Sequence, residues 1–193
     1  MSVFKAGIRS FELEDVEPLF LAISESKQEL MPWMPWCHLD YRIEETQTWI
    51  ERCRSAWTEG RSYNYAIYDR RSRQILGGCG VDEINPMHRL ANLGYWVRTS
   101  ATGQSVATDA ALLVARFAFS TLALNRLDIL VAEGNGRSQR VAEKVGAKRE
   151  GLLRNRLVTR EGQCVDAFLF SLLPRDIGQV DRLAGKGRAA PEH

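Results

Sequence analysis

The sequence predicts a mixed α/β fold: one sheet of seven strands with four flanking helices, ordered β, two helices, three strands, helix, strand, helix, two strands. Three observations predict it. Runs such as "RLDILVAE" alternate apolar and polar residues with the period of a strand, whereas "DAALLVARFAF" carries its apolar residues at helical spacing. The strand-like "NLGYWVR", that helix and "RLDILVAE" then form a strand–helix–strand crossover between Leu93 and Val131, which makes the two strands parallel. Finally, "KREGLLRNRLV" and "CVDAFLFSLL" flank the polar turn "TREGQ" and read as an antiparallel pair.

The elements follow in order. Val3 to Ser10 reads as the first strand, and "FELEDVEPLFLAISES" places Val16, Leu19, Phe20 and Ile23 on one helical face. Pro32 and Pro35 break any helix in "ELMPWMPWCHLDY", a loop rich in indole rings. A helix from Ile43 to Gly60 precedes the strands "YNYAIYD" and "ILGGCGVDEIN", which the turn "DRRSRQ" joins. Pro86 marks the next turn, "ANLGYWVR" is the fourth strand, and Thr108 to Leu122 is a helix with Ala110, Val114, Phe117 and Ala118 on one side. Leu127, Ile129 and Val131 share a face of the fifth strand, and "GNGRSQRVAEKVGA" opens a short helix that Gly146 ends. Residues 1–173 make a single domain; 174–193 have too little apolar content to pack firmly and are expected to be partly disordered. No internal repeat is present.

Composition narrows the function. A chain of 193 residues, 45% of them hydrophobic, suffices for one core. With 26 Lys and Arg against 24 Asp and Glu, the net charge of +2 lacks the strong basic balance of a dedicated nucleic-acid binder. Cys37, Cys53, Cys79 and Cys164 form no CxxC, so neither zinc nor a disulfide framework is suggested. The start "MSVFKAGIRSF" has no continuous apolar core, and the longest apolar run, Ala110 to Phe119, is too short to span a bilayer and contains Arg116. The expectation is a cytoplasmic protein without metal, nucleic-acid or membrane partner.

Two helix starts could carry chemistry. "TGQSVAT" follows a strand and opens a helix, where unpaired N–H groups and the positive end of the helix dipole form a seat for phosphate. Gly103 allows a tight turn, Ser105 and Ala107 are small enough for close approach, and Thr102 and Thr108 offer hydroxyls. Each N–H given to a charged oxygen contributes roughly 1.5–3 kcal/mol. The same loop is also what a plain connection looks like. Asn135 and Ser138 stand three apart at the mouth of the next helix; either could simply cap it. Two parallel strands that each end in such a start present both to one edge of the sheet.

These motifs, "LGYWV", "TGQSVAT", "LNRLDILVAEGNGRSQRVAEKVGAKREGLLR" and "MPWMPW", in this order and spacing, resemble the GCN5-related N-acetyltransferases, within them the branch that acetylates ribosomal-protein N-termini. The resemblance runs from Val3 to about Leu173. It implies a mostly antiparallel sheet whose two central parallel strands splay apart to admit the pantetheine arm of acetyl-coenzyme A. Backbone groups around Trp96 and Val97 would pair with that arm. The family's pyrophosphate motif, Q/R-x-x-G-x-G/A, falls on Thr102, Gly103, Gln104, Ser105, Val106 and Ala107, with Thr108 beside it. Thr102 stands where the family has Gln or Arg, and Ser105 where it has glycine.

The resemblance also implies direct attack of an amine on the thioester. Ser138 would protonate the departing thiolate, Asn135 would hold the pantetheine, and a backbone N–H on the "GYWV" strand would polarise the carbonyl. Trp33, Trp36, Glu83 and Tyr95 are the candidates for acceptor binding, and similar proteins are commonly homodimers. The glutamate that related N-terminal acetylases use as base aligns with Leu157. An α-amine of pKa near 8 is roughly one-tenth neutral at pH 7, a lysine amine about once in 2500. The departure therefore favours a low-pKa amine, or a water relay to Glu83 or Glu133.

Other readings are weaker. "GNGRSQ" nearly spells the dinucleotide fingerprint, but Gln139 replaces the third glycine and only one crossover is evident. A non-enzymatic acetyl-coenzyme A sensor would account for Leu157, Thr102 and Ser105. His38 and His88 lack metal-ligand spacing, and Cys79 has no base near it in sequence.

Overall fold

The computed structural model describes residues 5–177. Seven strands form one sheet in the order β1-β2-β3-β4-β5-β7-β6. They are β1 Ala6–Ser10, β2 Tyr63–Asp69, β3 Ile75–Asn85, β4 Leu90–Val97, β5 Arg126–Ala132, β6 Lys148–Val158 and β7 Cys164–Leu172. The helices are α1 Val16–Leu30, α2 Ile43–Thr58, α3 Val106–Ser120 and α4 Gly136–Lys144. Every strand pair is antiparallel except β4 with β5. Val3, expected to begin β1, and most of the expected polar tail lie outside the described residues.

Two cores sandwich the sheet. Ala110, Val114 and Ala118 of α3, all fully buried, share one core with Leu127, Ile129 and Val131 of β5, as the two periodicities require. On the other face, Leu19 and Ile23 of α1 and Ile50 and Cys53 of α2 meet Ala66 and Ile75, with Val16, Phe20 and Trp96 partly buried against them.

The feature that positions the site is a strand separation. β4 and β5 pair only through Leu90↔Arg126, Ala91↔Leu127 and Asn92↔Asp128; beyond these residues β5 pairs with β7 alone. From Leu93 onward the β5-side edge of β4 therefore has no strand partner, and the two strands open like a V. This bears out the splayed pair that the family resemblance implied.

The start of α3 differs from expectation. The helix begins at Val106, not Thr108, because Ser105 takes a left-handed conformation (φ 65, ψ 7) that turns the chain straight into the first helical residue. Gly103 is also left-handed, at φ 75. The serine pays for a conformation that the family's glycine adopts freely, at roughly 1–2 kcal/mol.

Candidate active site

A cleft of about 660 Å³ opens where β4 and β5 part, bounded by the starts of α3 and α4 and by the end of α1. The turn before α3 is tied to α1 at several points. Glu25 accepts from Arg98 and, at 2.8 Å, from the Ser100 N–H; Ser26 Oγ accepts from the Thr99 N–H at 2.9 Å. Arg98 first, then the Ser100 N–H, holds the Glu25 carboxyl down at about 2. The loop is thereby fixed by ion pair and hydrogen bond.

The first intrahelical bond of α3 is the Asp109 N–H to Ser105 O, 2.9 Å. The N–H groups of Val106, Ala107 and Thr108 precede it, and the Ser105 side chain caps none of them. All three residues line the cleft, as do Thr102, Gly103 and Ser105. Thr102 spends its hydroxyl on Thr99 O at 2.8 Å. Gln104 does not line the cleft; its amide turns back to donate to Ser100 O at 2.8 Å.

At α4, Asn135 Oδ1 accepts from the Ser138 N–H at 3.1 Å and caps the helix, which leaves its NH₂ group for the cleft. Tyr95 reaches across from β4: its hydroxyl donates to Ser138 O at 2.9 Å and receives the Ser138 Oγ–H at 3.3 Å. Burial pushes the Tyr95 phenol well up, so it stays a neutral donor. Trp96 and Val97 line the same cleft.

The two loop tryptophans part company. Trp33 lines the cleft and lies over Gly134, where an added Cβ would meet its ring at 3.3 Å. Trp36 does not line the cleft; its ring lies tilted 5.9 Å from the Trp96 ring and edge-on 5.9 Å from Tyr41. Arg160, in the β6–β7 turn, donates to Pro35 O at 3.3 Å and steadies this loop.

Several expected residues lie elsewhere. Glu83 sits at a bulge of β3, exposed, with φ 49, near the closed end of the V, and it does not line the cleft. Glu133 is exposed and contributes its backbone to Gln139 and Asp166. Leu157 pairs with Val165 in the β6–β7 hairpin. His38 bonds Glu45 at 2.9 Å. Burial raises the Cys79 thiol far above its usual range, which leaves it inert as a nucleophile. Among the described residues no group of three or more His, Cys, Asp or Glu could hold a metal, and no helix is long and apolar enough to cross a membrane.

Sequence reasoning missed Arg137, Arg140 and Lys144, which line the cleft from α4. None of them forms an ion pair among the described residues. Their spacing of i, i+3 and i+7 in "RSQRVAEK" marks one helical face and was the available signal. The site thus joins an open strand edge, uncapped helix N–H groups and three free cations.

Residues 6–148 match the acetyltransferase (GNAT) domain family. The chain belongs to that family. It is an acetyl-transferring enzyme. It is 25% identical over 170 residues to the N-acetyltransferase p20 of Bacillus licheniformis, covering 88% of this chain and 93% of that one. It is 24% identical over 139 residues to the ribosomal-protein-serine acetyltransferase of Escherichia coli, covering 72% and 76%. The solved structure of Mycobacterium smegmatis RimJ in complex with CoA-disulfide superposes with a TM-score of 0.81 at 25% identity, covering 95% of this chain and 90% of that one. Family membership and sheet order set aside the dehydrogenase reading.

Proposed function

We propose that this GNAT protein moves an acetyl group from acetyl-coenzyme A to a primary amine, either a protein N-terminal α-amine or a small-molecule amine. The observation that carries the reading is the convergence, on one cleft, of the open β4 edge, the uncapped start of α3 and the cations of α4. These residues suit a thioester tethered to phosphates. The N–H groups of Val106, Ala107 and Thr108 can each give a charge-assisted bond to a diphosphate oxygen, and Arg137, Arg140 and Lys144 supply positive charge that no ion pair among the described residues takes up. Trp96 and Val97 offer unpaired backbone groups to an extended arm.

Acetyl-coenzyme A, when bound, supplies an acetyl carbon activated by a sulfur leaving group. The chain's own residues do the rest. Asn135 has a free NH₂ group to orient the arm, Ser138 holds a hydroxyl proton for the departing sulfur, and Tyr95 fixes that serine through two hydrogen bonds. Trp33 shields the thiol end from water, and Trp36 belongs to the acceptor side. The CoA-disulfide held by the RimJ neighbour and the ribosomal-protein serine named for the Escherichia coli relative support this assignment. The low-pKa argument favours an α-amine. Four unpaired cysteines, three of them buried, accord with work in the cytoplasm.

The test is incubation with isotopically labelled acetyl-coenzyme A and a panel of amines: serine- and alanine-initiated peptides, spermidine and free amino acids, read by mass. Transfer to a peptide N-terminus is expected. Absence of transfer to every amine, with acetyl-coenzyme A failing to raise the melting temperature, refutes the reading.

A further inference from the structure

Register shows what lies on the acceptor side of β4. Residues directly opposite one another on neighbouring strands share a face. Val81, Leu93, Leu127 and Leu172 face the α3 core. The residues that alternate with them point the other way, toward α1, α2 and the tryptophan loop, and Trp96 confirms this by packing in the α1–α2 core. On that face Gly78 pairs with Trp96, Gly80 with Gly94, Asp82 with Asn92, and Asn92 with Asp128. A Cβ added at Gly94 would meet nothing within 4 Å, so the face is open just past the tryptophans. Asn92 and Asp128 are the last paired residues before the V opens; Asp82 stands level with its apex.

Asp82 has an unusual environment. It is partly buried, and Oδ1 accepts one hydrogen bond, from Asn92 Nδ2 at 2.9 Å. Asn92 Oδ1 is itself buried without a partner. No cation among the described residues forms an ion pair with Asp82, whereas Asp128 on β5 is held by Arg126 at 2.6 Å. The neighbouring strands contribute the amides Asn64 and Asn92, and Glu83 contributes a like charge. The bulge between Asp82 and Asn85 explains the choice of carboxylate: it turns Glu83 out to solvent and keeps Asp82 on the inner face. A partly buried carboxylate with one amide bond and no cation lacks a positive charge that the fold does not supply.

We propose that Asp82 receives the acceptor's ammonium group at the apex of the V and takes its proton, directly or through one water. This rests on the acetyl-transfer reading. Asp82 takes one proton from the ammonium; the freed nitrogen lone pair forms the N–C bond to the acetyl carbon. The C–S bond breaks with its electron pair going to sulfur, Ser138 gives sulfur a proton, and the new amide nitrogen returns its second proton to Ser138. Asp82 then releases its proton to solvent, so one proton leaves per turnover. Burial, opposed by the Asn92 hydrogen bond and aided by the like charge of Glu83, pushes the Asp82 carboxyl up, which makes it a better proton acceptor.

The test compares wild type, Asp82→Asn and Asp82→Glu on a serine-initiated hexapeptide and on spermidine, across pH 6–9, with acetyl-coenzyme A affinity and the urea unfolding midpoint as further readouts. For Asp82→Asn, kcat/KM at pH 7 should fall about 100-fold. The deficit should shrink as pH rises and the amine deprotonates unaided. Asp82→Glu should recover part of the activity, and acetyl-coenzyme A affinity should change less than threefold. Because the carboxyl's pKa is raised in the folded state, its ionisation disfavours folding, so Asp82→Asn should have an equal or higher urea midpoint at pH 8. A lower midpoint with an unchanged pH–rate profile would make Asp82 a structural residue and overturn the proposal. If wild type itself acetylates neither amine, the acetyl-transfer reading fails first, and that result is separable from a failure of Asp82 alone.

Discussion

Ala107→Glu separates binding from folding. Ala107 is the second residue of α3, half-buried at the wall of the cleft, and its N–H lies ahead of the first intrahelical bond. A glutamate there would stand over the positive end of the helix and occupy the ground where a diphosphate would rest. Loss of two N–H contacts at roughly 1.5–3 kcal/mol each amounts to about 3–6 kcal/mol. At 1.4 kcal/mol per tenfold, Kd for acetyl-coenzyme A should rise by about 10² to 10⁴. Like-charge repulsion adds to this. The same carboxylate at a helix N-terminus stabilises the helix by roughly 0.3–1 kcal/mol, so the melting temperature without ligand should hold or rise. Isothermal calorimetry gives the affinity and thermal unfolding the stability. Affinity retained within threefold, in a variant as stable as wild type, would refute the placement of the diphosphate at α3.

On the proposed role of its hydroxyl as proton donor to the departing sulfur, Ser138→Ala should lower kcat about 10- to 100-fold with little change in KM; steady-state kinetics decides it. Ser105→Gly removes a left-handed serine, and after glycine's own entropic cost the gain should be about 0.5–1 kcal/mol, seen as a rise of roughly 1–4 °C in Tm; a fall would show that the hydroxyl matters more than the backbone. Glu25 is held at about 2 by Arg98 and the Ser100 N–H. Its contribution to stability is present above the ordinary carboxylate value and is lost as pH falls toward about 2. Glu25→Gln should therefore flatten the acid side of the stability profile between pH 4.5 and 2, and loosen the turn before α3; an unchanged slope in acid denaturation would contradict this. The pair is partly exposed, so the effect should weaken in high salt.

Much of the fold was legible because its signals are local. Leu127, Ile129 and Val131 alternate whether or not β7 is beside them, and Leu19 and Ile23 recur at helical spacing before α1 meets anything. The order of the motifs likewise carried the family. Element ends were less legible: α3 begins two residues early because Ser105 accepts a strained conformation that no periodicity announces. Within the site, the helix starts were readable, and the cations of α4 could have been read from their spacing. Gln104 and Glu83 were misplaced by sequence reasoning, since a side chain's direction in a loop or at a bulge depends on what it meets.

By itself, the sequence determined the strands, the helices, the parallel crossover and the two polar helix starts, since each follows from residues within a turn or two of one another. Tertiary structure alone decided where β4 leaves β5, that Tyr95 reaches Ser138 from a strand 43 residues away, and that Asp82 rather than Glu83 faces inward. Those outcomes depend on register between distant strands. A one-residue shift exchanges the faces of a strand, and only the assembled sheet fixes that shift.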